Sequence, residues 1–96
     1  SWVVARSAAE LHTTTVTQAE VLYGIALLPT GKRREALASA AAAIFAVDFA
    51  GRVLPFDGAA AEHFAELVTA RRRSGSQIEN FDAQIAAIAR AVVASL

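Results

Sequence analysis

The order of apolar and polar side chains changes character twice within residues 11–28. Leu11-His12-Thr13-Thr14-Thr15-Val16 is a largely β-branched run, and branching at Cβ favours an extended, half-buried strand. Thr17 closes it. Residues 18–28 are helix formers and apolar on nearly every side, with Val21, Leu22, Tyr23, Ile25, Leu27 and Leu28 among them. That pattern predicts a helix buried on several faces, and Pro29-Thr30-Gly31 stops it. A second helix is expected over residues 32–47, with Leu37 and Ile44 seven apart on one face. Gly51 then introduces Arg52-Val53-Leu54-Pro55-Phe56, a short strand that Pro55 brings to its end. Asp57 has the type and position of an N-cap for a helix over residues 58–73. Ser74-Gly75-Ser76 terminates that helix, and a last one is predicted from residues 80–82 to residue 96. Residues 1–10 are Ala-rich and read as the end of a further helix.

Helix, strand, two helices, strand, two helices is α/β wiring. Two strands separated by such a helical stretch are most simply parallel neighbours joined by a right-handed crossover. Two parallel strands are too few for a core, because parallel sheets are normally wider and covered on both faces. More strands are expected than the two that are legible.

Composition narrows the function. At 96 residues the chain is one domain, and 24 of its apolar residues are alanine, so the core must come from 29 larger apolar side chains. Nine basic and nine acidic residues cancel, which leaves no case for a general polyanion binder or a membrane-surface protein, and any nucleic-acid contact must be local. The absence of cysteine excludes a disulfide framework, a thiolate zinc site and a cysteine nucleophile, and it fits a cytoplasmic setting. The longest apolar run, residues 40–47, is far short of the ~20 residues that span a bilayer. Ser1-Trp2-Val3-Val4 lacks the basic start of a signal peptide.

Two carboxylates stand out. Glu20 is the one charge in the apolar stretch 18–28, where a carboxylate is costly unless paired, hydrogen-bonded or bound to a metal. The ordinary alternative is a capping box, Thr17-Gln18-Ala19-Glu20, with Glu20 reaching back to the Thr17 N–H. Asp82 opens another nearly all-apolar helix, and Asp82, Ile85, Ala89 and Val92 form one stripe at helical spacing, which points the carboxylate along the buried face. Its ordinary role is to complement the helix dipole. Brought within about 5 Å of each other at an effective dielectric of ~20, the two would repel by roughly 3 kcal/mol. A divalent cation removes that cost; Mg²⁺ or Mn²⁺ takes oxygen ligands, keeps several waters and activates one for attack on a phosphodiester.

The basic residues are clustered as Lys32-Arg33-Arg34 and Arg71-Arg72-Arg73. Solvated helix ends are the ordinary explanation, and a grip on phosphates is the alternative. His12 and His63 lack metal-ligand spacing, and His63 and Glu66 read as an exposed helix pair.

Three segments in this order resemble the PIN-domain toxins of VapBC and FitAB type: Thr17-Gln18-Ala19-Glu20-Val21-Leu22-Tyr23-Gly24-Ile25, then Val53-Leu54-Pro55-Phe56-Asp57, then Ile78 followed by Asp82-Ala83-Gln84-Ile85-Ala86-Ala87-Ile88-Ala89. The resemblance implies a three-layer α/β fold with a short parallel sheet flanked by helices. It implies a metal-dependent endoribonuclease, the toxin of a type II toxin–antitoxin pair, hydrolysing RNA through a metal-activated water. Glu20 and Asp82 match family acids, so both would be catalytic and metal-ligating, with Mg²⁺ or Mn²⁺ as cofactor. RNA substrate, a cognate antitoxin and a homodimer are the implied partners. The family's opening strand ending in Asp-Thr-Asn and its closing Thr-x-Asn-x-x-Asp-Phe-like segment have no match, so the chain reads as the middle of such a domain, short of two acids and inactive by itself if nothing supplies them. The competing reading is a non-catalytic helical interaction or dimerisation module in which Glu20 and Asp82 only cap helices.

Overall fold

The structure is a computed structural model that describes residues 11–96; the helix end read at residues 1–10 lies outside them. The chain divides into two compact units, Ser1–Leu54 and Pro55–Leu96.

In the first unit, strand β1 (Thr13–Thr14) leads directly into helix α1 (Thr15–Ala26). The strand is shorter than the β-branched run implies, and the helix starts three residues early. Threonine is both a strand former and a good cap, and here the cap wins. Thr14 keeps an extended backbone while its Oγ1 accepts the Thr17 N–H at 3.0 Å. Helix α2 (Lys32–Ala43) follows the Pro29 turn and ends in a widened π turn, Ile44–Asp48, where the Phe49 N–H reaches back to the Ile44 carbonyl at 2.9 Å. Gly51, at φ +73°, turns the chain into strand β2 (Val53–Leu54). The strands pair in parallel, Thr13 with Val53 and Thr14 with Leu54, so the helical crossover connection is as expected.

Arg52 ties this unit together. Its Nε donates to the Leu11 carbonyl at 2.9 Å, a terminal nitrogen donates to the Asp48 carbonyl, and its guanidinium lies 6.0 Å from the Phe49 ring centroid.

The expected all-round burial of α1 does not hold. Val16 is its buried residue, whereas Tyr23 and Leu27 are each 67% exposed. Within the unit α1 packs against an alanine-rich α2 and a two-residue strand, which cover one side only.

The second unit is a helical hairpin. Asp57 caps helix α3 (Gly58–Arg73) as predicted, its Oδ1 accepting the Ala60 N–H at 2.9 Å. The helix closes in a Schellman motif: the Ser76 N–H bonds to the Arg71 carbonyl, the Gly75 N–H bonds to the Arg72 carbonyl, and Gly75 sits at φ +79°. Helix α4 (Asn80–Ala94) packs back on α3. Ala60, Ala83 and Ala87 are fully buried and Leu67 and Ile88 nearly so; the missing side-chain bulk brings the helices close. At the base of α3, Phe56 and Phe64 meet edge to face, their centroids 5.8 Å apart.

The expected stripe on α4 is rotated. The buried positions are Ala83, Ala87 and Ile88, not Asp82, Ala89 and Val92, and Asp82 is exposed. Two fully buried alanines mark where the neighbouring helix presses closest. A reading that weights large side chains places the seam one residue away.

Candidate metal-ligating carboxylates and a basic concavity

Glu20 is the sixth residue of α1, one and a half turns past its start. Thr14 therefore displaces the capping box. The Thr17 N–H that Glu20 was to satisfy is already taken by the Thr14 hydroxyl. Glu20 is exposed, with no hydrogen bond or ion pair among the described residues. Asp82 is the third residue of α4, at the end where the backbone N–H groups favour an anion. It too is exposed and makes no side-chain bond among the described residues. The N-cap of α4 is Glu79, without a side-chain cap bond. Neither acid caps its helix.

Glu20 belongs to the first unit and Asp82 to the second. Among the described residues no group of three or more His, Asp or Glu side chains is arranged to hold a metal. By donor type the two carboxylates suit a hard, largely hydrated cation, because Mg²⁺ is commonly held by one or two carboxylates, waters and substrate phosphates rather than a full protein cage. Both are free to ligate.

The two arginine-rich segments differ once placed. Lys32, Arg33 and Arg34 occupy the first turn of α2, the end of a helix dipole that cations destabilise by about 0.3–1 kcal/mol each; the Arg34 guanidinium donates to Thr30 Oγ1 at 3.4 Å. Arg71, Arg72 and Arg73 occupy the last turn of α3, where cations are favoured. They do not share one face. Arg71 and Arg72 line a concavity of about 200 Å³ with Val68, Ser76, Gln77 and Ile78, whereas Arg73 lines another with Glu66 and Thr69. Sequence reasoning took a solvated helix end as the ordinary explanation of this cluster and a grip on phosphates as the alternative. The signal available was the i, i+3, i+4 spacing of Val68, Arg71 and Arg72 just before a Ser-Gly-Ser-Gln turn.

His63 is half-buried rather than exposed, and it lines a concavity of about 520 Å³ with Glu66, Ala89, Arg90, Val93 and Ala94. No helix of the described residues is long and apolar enough to cross a membrane.

A parallel β1–β2 pair bridged by helices, followed by a hairpin whose second helix opens with an acid, is the architecture of a PIN domain, and residues 2–96 match that family. The chain belongs to the PIN-domain family and is VapC- and FitB-like. It is 41% identical over 90 residues to the plasmid stability protein StbB of Pseudomonas syringae pv. tomato, covering 94% of this chain and 65% of that protein. It is 36% identical over 89 residues to a VapC ribonuclease of Sinorhizobium fredii, covering 93% of this chain and 64% of the relative. With the toxin FitB of Neisseria gonorrhoeae it shares 31% identity over 90 residues, 94% of this chain and 65% of that one. A solved structure of FitAB bound to a DNA fragment superposes with a TM-score of 0.82 at 31% identity, over 93% of this chain and 62% of that one. The chain thus spans just under two thirds of the length of these curated relatives.

Proposed function

We propose that this protein is a divalent-metal-dependent endoribonuclease, the toxin of a type II toxin–antitoxin pair, with residues 1–96 as one domain and Glu20 and Asp82 as metal ligands. The observation that carries the reading is that two exposed carboxylates, each without a partner among the described residues, stand near the starts of two helices and cap neither. Exposure leaves both carboxylates accessible to a solvated cation. The named activity of the VapC relative and the toxin name of the FitB relative support the nuclease class. The FitAB complex supports a small antitoxin as partner, and a homodimer belongs to the same proposal.

Mg²⁺ or Mn²⁺, when bound, supplies charge neutralisation and Lewis acidity toward a phosphodiester. The part of this chain is to hold it. Glu20 and Asp82 would each offer it hard carboxylate oxygens from a helix rather than a loop.

The test is RNA cleavage by the complete protein with Mg²⁺, with EDTA, and after Glu20→Gln or Asp82→Asn. Chelation should abolish cleavage. Each substitution should lower it by more than about 100-fold, beyond the ~10–100-fold typical of losing an outer-sphere partner. Cleavage that survives both substitutions removes the assignment.

A further inference from the structure

From the concavity at the end of α3 we infer a phosphate-gripping subsite for single-stranded RNA, with Arg71 and Arg72 as the residues that hold the backbone. The inference rests on the ribonuclease reading above for the identity of the polynucleotide, but its geometry is independent of the metal ligands.

Arg71 and Arg72 both line the same hollow of about 200 Å³, and no carboxylate pairs with either among the described residues. Two guanidiniums unpaired among the described residues line one hollow and present planar forks suited to phosphate oxygens. Ser76 and Gln77 add neutral donors to the lining, and Val68 and Ile78 are its apolar part, a surface a nucleobase or ribose can lie on. The Schellman motif holds the turn that carries Ser76: the backbone N–H groups of Gly75 and Ser76 are bonded to the helix, and the Ser74 and Ser76 hydroxyls lie 3.0 Å apart. The hollow is therefore preformed. Ile78, at the edge of the hollow, precedes α4 by two residues in the chain. A net charge of zero makes this a local feature rather than a general basic surface. Dipole complementarity accounts equally for all three arginines, but not for two of them sharing a donor-lined hollow that contains no carboxylate while Arg73 sits beside Glu66.

The test uses the full chain and a short fluorescein-labelled oligouridylate in EDTA, with affinity measured across a salt series. Arg71→Gln/Arg72→Gln should raise Kd about tenfold or more, and should lower the magnitude of the log Kd against log salt slope by about 1.4, the value for two lost single-strand phosphate contacts. Arg71→Lys/Arg72→Lys should recover the slope and only part of the affinity, since an ammonium keeps the charge without the fork. Arg73→Gln should change Kd less than about threefold. In turnover with Mg²⁺ the loss should fall on KM more than on kcat. If the double variant melts early, Ser76→Glu, an exposed change that sets a negative charge at the rim, should weaken binding in the same way. An unchanged slope in the double variant, an equal effect of Arg73→Gln, or equal competition by an oligoglutamate of matched charge overturns the proposal. Arginine-dependent binding without any cleavage by the wild type would instead remove the nuclease reading and leave this site standing. Glu20-dependent cleavage with binding indifferent to Arg71 and Arg72 would do the reverse.

Discussion

Replacing Glu20 separates a ligand from a structural residue, because the structure assigns the capping of α1 to a different side chain. The Thr14 Oγ1 accepts the Thr17 N–H at 3.0 Å and lies 3.2 Å from the Thr17 hydroxyl, and Thr14 is 9% exposed. Thr14→Ala removes that bond and leaves the N–H without a partner at a half-buried position, a cost of about 1–2 kcal/mol. For a chain of this size each kcal/mol lowers the Tm by roughly 4–8 °C, so the melt should fall by about 4–16 °C, with Thr14→Ser close to wild type. Glu20→Gln removes an exposed charge that bonds to nothing among the described residues, and should change stability by less than about 0.5 kcal/mol. RNA cleavage per folded molecule should follow the opposite order, kept by Thr14→Ala and lost by Glu20→Gln. The assay is a thermal melt followed by circular dichroism in EDTA, paired with cleavage in Mg²⁺. A melt of Glu20→Gln that drops as far as that of Thr14→Ala would show the carboxylate to be structural, and the ligand assignment would go with it.

Three further changes test the hairpin. Asp57→Ala should destabilise the protein by about 1 kcal/mol through loss of the bond to the Ala60 N–H, and Asp57→Ser should restore most of it, read by urea denaturation. Gly75→Ala meets no atom within 4 Å of the new Cβ, so its cost is conformational alone, about 1–2 kcal/mol for an alanine held at φ +79°; a melt within error of wild type would mean that the turn is not held in this conformation. Ile88→Ala truncates a side chain that is 2% exposed and leaves a cavity, and should cost about 2–5 kcal/mol in the same denaturation measurement, whereas Val93→Ala at a 67% exposed position should cost under about 0.5 kcal/mol.

The hairpin was the most legible part of the chain, because its signals are local. Asp57 followed by small helix formers, and a triple arginine followed by Ser-Gly-Ser, fix both ends of α3 to the residue. The parallel pairing of the two strands also followed from the length of helix between them. What misled was competition between two valid preferences. Thr13, Thr14 and Thr15 read as strand, but a threonine hydroxyl also caps, and one hydrogen bond at Thr14 moved the start of α1 and removed Glu20 from its capping box. Apolar content also overstated burial, since Tyr23 and Leu27 have the composition of a core and the exposure of a surface. Of the two candidate acids, the place of Asp82 in the first turn of its helix was readable and that of Glu20 was not, whereas the sorting of Arg71 and Arg72 from Arg73 depends on which way the final turn of α3 faces.

The π turn at Ile44–Asp48 gives the crossover one residue of slack. A five-residue turn is an ordinary one with an extra member taken up locally, so the flanking backbone keeps its phase whether or not that member is present. Ala46 and Val47 are exposed there, and shortening the loop by Ala46 would let the turn relax to a regular helix while Thr13 still faces Val53. Length variation in this connection can therefore be absorbed before it reaches the sheet, and the helix bearing Glu20 stays where its cap puts it.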